Sequence, residues 1–383
     1  MAALSDSRYA IVDSHVHYPD PSYLKPYVDI LDTLGITRFN VVCLPHFTRL
    51  SVVPDALHLK AHHPQRIYVN GSMDYSVYLT DPDRLGVLDA AYIDTLLAMG
   101  CDGIKMWESK PNIRKLYSIP PFDSAAWVPY WEKVAALQVP VLFHLNDPAE
   151  LWDPVKVPSW AVEHGWFYGD RTYTNNETQY AEILAVLQRH PNLKVTFAHF
   201  MFFSAELPRL AGYLDRFPNM YIDLAPGVEM YRSFSAEPEP TREFFVRYQE
   251  RILYGTDYGA AAALSPQRIE IDEADTRNLF GLVQGFLEAD GEYGPLLNRD
   301  GSRYFDFDIP LRGIALPPSA LAKIYEGNFD RIYGHRPRVL NPGAIAEECE
   351  RLVHRIKTPA AMLPGMQGDA SVIQEVREYF AGL

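Results

Sequence analysis

Two histidines separated by one residue, His15 and His17, end the stretch Ala-Ile-Val-Asp-Ser-His-Val-His at residues 10–17. Side chains two apart in an extended strand share a face. Both imidazoles therefore point the same way, close enough to hold one metal ion, and Asp13 lies one step deeper on that face. Neutral imidazole is the commonest metal ligand, but a lone His-x-His also fits two satisfied core or surface histidines. The pair gains meaning from the other apolar runs. His144 ends Val-Pro-Val-Leu-Phe-His, His199 ends Val-Thr-Phe-Ala-His, Asp257 ends Tyr-Gly-Thr-Asp, and Lys105 stands inside Gly-Ile-Lys-Met-Trp. A buried strand does not carry such groups without a reason. Singly, His144 or His199 reads as a hydrogen-bonded core histidine; polar groups at the ends of five strands read together as a metal centre.

The elements that must position these residues alternate. Strands are expected at residues 10–17, 39–44, 67–71, 103–107, 139–144, 193–199, 220–224 and 251–254. Helices are expected at 21–34, 55–63, 90–99, 125–137, 177–189, 205–217 and 242–249. The strands are short, apolar and β-branched, as when both faces are covered. Eight such units predict an α/β fold, a closed (β/α)8 TIM barrel whose catalytic groups sit at the C-terminal ends of the strands. A doubly wound sheet is the competitor, but no Gly-x-Gly-x-x-Gly follows the first strand. Three stretches exceed ordinary loops, residues 108–123, 145–174 and 287–318. The first two follow strands four and five, where long loops are usually functional. They carry Tyr117, Trp152, Trp160, Trp166, Phe167, Tyr168 and Tyr173, which suit an aromatic lid or a subunit interface equally. The barrel is assigned to residues 1–334. A helical extension at 335–383, with helices near 344–356 and 372–380, is expected to pack on its outside.

The 383 residues are 48% hydrophobic and 22% charged, an ordinary globular composition. A formal net charge of -14 argues against a nucleic-acid or anionic-membrane surface but leaves room for a local basic pocket. Cys43, Cys101 and Cys349 are far apart and suit a reducing compartment. No signal pattern or bilayer-length apolar run is present. The expectation is a cytoplasmic protein acting on a small molecule, without nucleic-acid or membrane partners, as a homo-oligomer.

The motifs Val-Asp-Ser-His-Val-His, Gly-Ile-Lys, Val-Leu-Phe-His, Thr-Phe-Ala-His, Tyr-Ile-Asp-Leu and Tyr-Gly-Thr-Asp, with the tail Lys-Ile-Tyr-Glu-Gly-Asn-Phe-Asp-Arg-Ile-Tyr-Gly, resemble the amidohydrolase superfamily. The resemblance spans residues 11–334 and is nearest the amidohydrolase-2 branch, which includes aminocarboxymuconate-semialdehyde decarboxylase and related aromatic-acid decarboxylases. It implies one divalent ion, commonly zinc, on His15, His17, His144 and Asp257, with His199 catalytic beside a bound water.

The chemistry of the residues agrees. Three imidazoles and a carboxylate leave a coordination position free. Without thiolate the set suits zinc and admits manganese, nickel or iron. Asp257 is placed to take a proton from water and pass it on, and His199 to orient that water or steady an oxyanion. Lys105 is read as facing substrate, against a carboxylated, metal-bridging alternative. Glu108 reads as a second acidic ligand or a salt-bridge partner, Asp13 as an acceptor for a ligand imidazole or a structural residue, and Asp223 as structural. His46, Trp107 and Trp152 are candidate substrate contacts; His58, His62, His63, His190, His335 and His354 read as surface residues. The leading function is metal-dependent hydrolysis of an amide, lactone or ester of a small substrate that carries, in one version, a carboxylate. The alternative is non-oxidative decarboxylation of an aromatic or unsaturated acid, with Lys105, Arg49 or Arg171 as the needed cation. The arginine that some family decarboxylases carry on strand two is missing from Cys-Leu-Pro-His, which tips the reading to hydrolysis. A metal-stabilised binding protein ranks third, because His199 and Asp257 are both present.

Overall fold

The computed structural model describes residues 9–383, apart from 228, 266–267, 299 and 304–307. Eight parallel strands are hydrogen-bonded in sequence order: β1 Ile11–Val16, β2 Ile36–Val42, β3 Ile67–Ser72, β4 Gly103–Met106, β5 Val141–Phe143, β6 Val195–Phe197, β7 Met220–Asp223 and β8 Ile252–Leu253. The seam between first and last is closed by backbone bonds: Ser14 N to Tyr254 O at 2.9 Å, Asp257 N to His15 O at 2.8 Å and His17 N to Tyr258 O at 2.7 Å. This is the expected barrel. Its strands are buried on both faces, which is why they read as continuous apolar runs rather than as alternating ones.

Helices α1 Leu24–Thr33, α2 Val53–His62, α3 Leu85–Met99, α4 Val128–Leu137, α5 Asn176–Arg189, α6 Leu207–Arg216 and α7 Pro238–Arg247 fall where they were expected, within a few residues. A further helix, α8 Glu273–Glu288, was not anticipated. Its start signal is in the chain: the Asp272 side chain accepts from Ala274 N and Asp275 N, and acids occupy the first turn, the usual capping of the helix N-terminal donors. Most strands are shorter than read from sequence. β5 stops at Phe143 and β6 at Phe197, so His144 and His199 stand just past the last ladder pairs.

The end of the barrel where the strands begin is plugged. Val12, Tyr68, Tyr221 and Leu253 pack against Phe329 and Ile332 from the short helix Asn328–Tyr333. The insertion after β5 builds a small core of its own, Leu151, Ala161 and Tyr168 with Trp152, Trp160, Trp166 and Tyr173 around them. Within residues 287–318, Asp290–Glu292 pairs antiparallel with Arg312–Ile314. The last two helices, α9 Pro342–Ile356 and α10 Ser371–Ala381, pack on each other and against α2 and α3. Ile345, Cys349, Leu352 and Ile356 form the buried stripe of α9, the spacing expected of a helix with one apolar face. No helix among the described residues is long and apolar enough to cross a membrane.

Candidate metal centre and active site

His15 Nδ1 lies 2.8 Å from Asp223 Oδ2. A carboxylate only accepts, so this contact puts the ring proton on Nδ1 and leaves a lone pair on Nε2. That lone pair faces Asp257 Oδ1 at 3.3 Å, and His17 Nε2 lies 3.1 Å from the same oxygen. The donor atoms of His15, His17 and Asp257 all lie within 4.8 Å of one another. Burial, with the Lys105 charge, holds His15 well below the usual imidazole range, so it stays neutral. Burial works against the Asp257 carboxylate, but the hydrogen bond with His17 and the neighbouring imidazole rings outweigh it and hold it well below the usual carboxylate range. Lone pairs converging on one buried point require a positive centre. Lys105 supplies part of it: its Nζ donates to His15 Nε2 at 3.1 Å, and burial lowers it to about 8. Two imidazoles and a carboxylate, one imidazole held from behind by Asp223, fit a divalent ion.

His199 sits beside this group, its ring 5.4 Å from that of His15. Its Nδ1 is 3.1 Å from Ala225 O, an acceptor, which leaves the Nε2 lone pair facing His144 Nδ1 at 3.2 Å. His144 Nε2 in turn lies 3.3 Å from Asp147 Oδ1. Asp147 accepts from both Lys110 Nζ and the Tyr168 hydroxyl. Against its burial, Lys110 and His144 hold it below the ordinary carboxylate range. Burial pushes His144 and His199 each down to about 4. His144 stands outside the three-residue donor group: the Asp147 carboxylate only accepts, so Nε2 carries the proton and the Nδ1 lone pair faces that of His199.

The backbone carrying His199 is unusual. His199, Phe200, Met201 and Phe202 have φ of 54°, 54°, 56° and 57°, a left-handed turn without glycine. Each such residue costs about 1–2 kcal/mol, and strain of this kind collects at functional sites. The turn is held by Asp223 Oδ1, which accepts from His199 N at 2.8 Å, by the Tyr180 hydroxyl donating to Met201 O, and by Phe200 packed on Phe234, Phe244 and Phe245.

Residues 90–335 match the model of the amidohydrolase family. The chain belongs to that family. The match starts within α3, so the His15–His17 pair lies before it. No curated protein matches this sequence. Among solved structures, a TIM-barrel protein from Bordetella bronchiseptica shares 14% identity at a TM-score of 0.51, over 85% of this chain and 99% of that one. A protein described as an amidohydrolase II shares 16% at 0.52, over 85% and 99%. A 2,6-dihydroxybenzoate decarboxylase from Rhizobium shares 12% at 0.50, over 85% and 98%. At these identities the likeness is one of fold.

In this amidohydrolase the donor group lies in a cavity of about 650 Å³, which His15, His17, Lys105, His144, His199 and Asp257 all line. Trp107, Trp160, Trp166 and Phe202 give it aromatic walls, and Lys110, Lys156 and Arg232 add positive charge. Trp107, expected as a substrate contact, is one of these lining residues. Two expected contacts are elsewhere. His46 is not among the lining residues; it sits in a tight hairpin, where its Nδ1 accepts from Thr48 N and Arg49 N. Trp152 is also absent from the lining: it packs on Tyr168 and donates to Thr174 O inside the insertion. Arg49 is no substrate cation either, being bound to Asp55 and Pro19 O, and Arg171 does not line the cavity.

Other acids differ from expectation in detail. Glu108 is neither ligand nor salt-bridge partner: it accepts from Tyr78 and Trp107 N. Asp13 does not hold an imidazole but joins β1 to the segment after β8, accepting from His15 N, Thr256 N and Thr256 Oγ1. Asp223, read as merely structural, is the residue that orients His15 and fixes His199. Sequence reasoning missed Lys110, Asp147, Glu229 and Arg232. Asp147 lies three residues past His144, the one local signal that pointed to it; Lys110 and Glu229 immediately precede short helices and Arg232 lies in one, Met230–Ala236, too short to show a periodic pattern.

Proposed function

We propose that the protein is a metal-dependent hydrolase that cleaves an amide, lactone or ester of a small, carboxylate-bearing, aromatic or unsaturated substrate. The observation that carries this reading is the convergence of His15, His17 and Asp257 on one point in an aromatic, lysine-lined cavity. A divalent ion held there, zinc by preference for a nitrogen-rich set without thiolate, would supply an acidified water and a polarised carbonyl. The remaining work belongs to side chains. Asp257 Oδ1 takes the proton from the attacking water and returns it to the leaving group. His199, its Nδ1–H spent on Ala225 O, presents Nε2 to orient that water. Asp223 keeps the His15 lone pair aimed inward. His144, anchored by Asp147, is assigned as a third imidazole ligand. Lys105 attracts the substrate carboxylate, and the tryptophans exclude water from its ring. A second reading, decarboxylation of an aromatic acid by the same residues, is favoured by the flat aromatic walls and by Lys105 beside the donor group.

The test is turnover of aromatic lactones, esters, amides and acids by protein stripped with chelator and reloaded with zinc, manganese, nickel or iron. Hydrolysis is expected to return with metal; carbon dioxide release without hydrolysis would move the assignment to the second reading. His199→Asn should retain the metal and lose about 10²-fold or more in turnover. Full activity in that variant overturns the role given to His199. His144→Ala should lose metal and turnover together.

A further inference from the structure

Glu229 lines the same cavity on the segment after β7, and neither the donor group nor the hydrolytic reading uses it. Both carboxylate oxygens are shielded from bulk water, and beyond a contact with its own backbone N–H neither has a hydrogen-bond partner on another described residue. Such a group is expensive to leave unmet, and native proteins almost always satisfy it. It also lies near His199. A Cβ built on Gly227 would stand 3.4 Å from Glu229 Oε2 and 3.7 Å from His199 Cβ, so one methyl group would touch both side chains. The charges around it do not pair with it. Glu150 and Asp147 are acidic, Asp147 is engaged by Lys110, and the Arg232 guanidinium is bound to Asp308. Burial, reinforced by Glu150 and Asp147, pushes the carboxyl up to about 7. Ionised or neutral, it retains a free acceptor oxygen.

We infer that Glu229 is a substrate-contacting specificity residue, which accepts a hydrogen bond from an O–H or N–H carried by the substrate ring. This rests on the proposed aromatic-carboxylate cavity and narrows it: the substrate bears a donor group in addition to its carboxylate. A site built to bond a substrate donor discriminates strongly against an analogue that lacks it, because the buried acceptor is then stranded.

The probes are benzoate, 3- and 4-hydroxybenzoate, 3-aminobenzoate and 4-methoxybenzoate. Their binding to zinc-loaded protein is read by calorimetry and by quenching of the cavity tryptophans. At least one hydroxy or amino compound should bind about tenfold or more tighter than benzoate and methoxybenzoate, the size of one net hydrogen bond to a buried acceptor. Glu229→Met should bring donor and non-donor ligands within about twofold while benzoate affinity stays. Glu229→Gln, which keeps an acceptor oxygen, should retain part of the preference. Glu229→Ala, which removes the acceptor without the bulk of Met, should do the same and serves if the Met variant does not fold. Melting temperature and zinc content are checked for each. Benzoate binding without a donor preference, or a preference that survives in Glu229→Met, overturns the inference but spares the cavity. Failure of every probe to bind zinc-loaded protein overturns both.

Discussion

Asp223 holds two histidines with its two oxygens, His15 through the ring and His199 through the backbone. Removing a carboxylate that orients a ligand imidazole typically costs about 10–100-fold in metal affinity. Asp223→Asn should show that loss in a competition titration, with little change in melting temperature. Asp13 makes a second residue-level prediction. Burial, against the Thr256 hydrogen bond, raises its carboxyl from 3.8 to about 8. A group whose pKa is raised by folding contributes stability below its unfolded value, and that contribution is lost as pH climbs through the folded value. Asparagine mimics the protonated acid, so metal-free Asp13→Asn should gain in melting temperature relative to the parent as pH rises from 5 to 8. A pH-independent difference would show Asp13 ionised throughout. At this scale the sequence disclosed residues on strands and little else. His15 and His17 were legible because a two-residue period has one geometric meaning. Glu229 and Lys110 were not, because a loop or a short turn has no period from which to infer a direction. Asp13 took the structural one of its two expected roles, and Asp223, read as structural, took the imidazole, because which acid meets which imidazole depends on the stagger between distant strands.

At the scale of elements, the site depends on how β1 meets the segment after β8. Gly259 has φ +83°, and a Cβ there would stand 2.0 Å from His17 O. Only glycine lets the chain pass so close. Gly259→Ala should lower both melting temperature and metal affinity. Gly212→Ala, in α6 with open space around it, should leave metal binding alone and raise stability by about 0.5–1 kcal/mol. The order of the eight barrel strands was readable from apolar runs between Gly, Pro and Asn breaks. Their ends were not, because a buried strand and the first residues of its loop have the same composition. The left-handed turn at His199–Phe202 could not be foreseen either: four non-glycine residues with positive φ contradict local preference, and only tertiary contacts from α5, β7 and α7 hold them there.

The whole molecule couples this site to a plugged barrel and an outer helical pair. Phe380 is 2% exposed in α10, and Phe380→Ala should cost about 3–5 kcal/mol while the metal site, on other elements, keeps its affinity. A calorimetric melt would check the first and a zinc titration the second. His15 and His17, far from Asp257 in the chain, are assigned with it to one cation. X-ray absorption at the edge of a loaded zinc or cobalt ion tests this assignment most directly. One bound ion per chain is expected, with imidazole scattering, nitrogen and oxygen donors at about 2.0–2.2 Å and no sulfur, lost in His17→Ala and in Asp257→Asn. An ion that stays with an unchanged spectrum in both variants would contradict it.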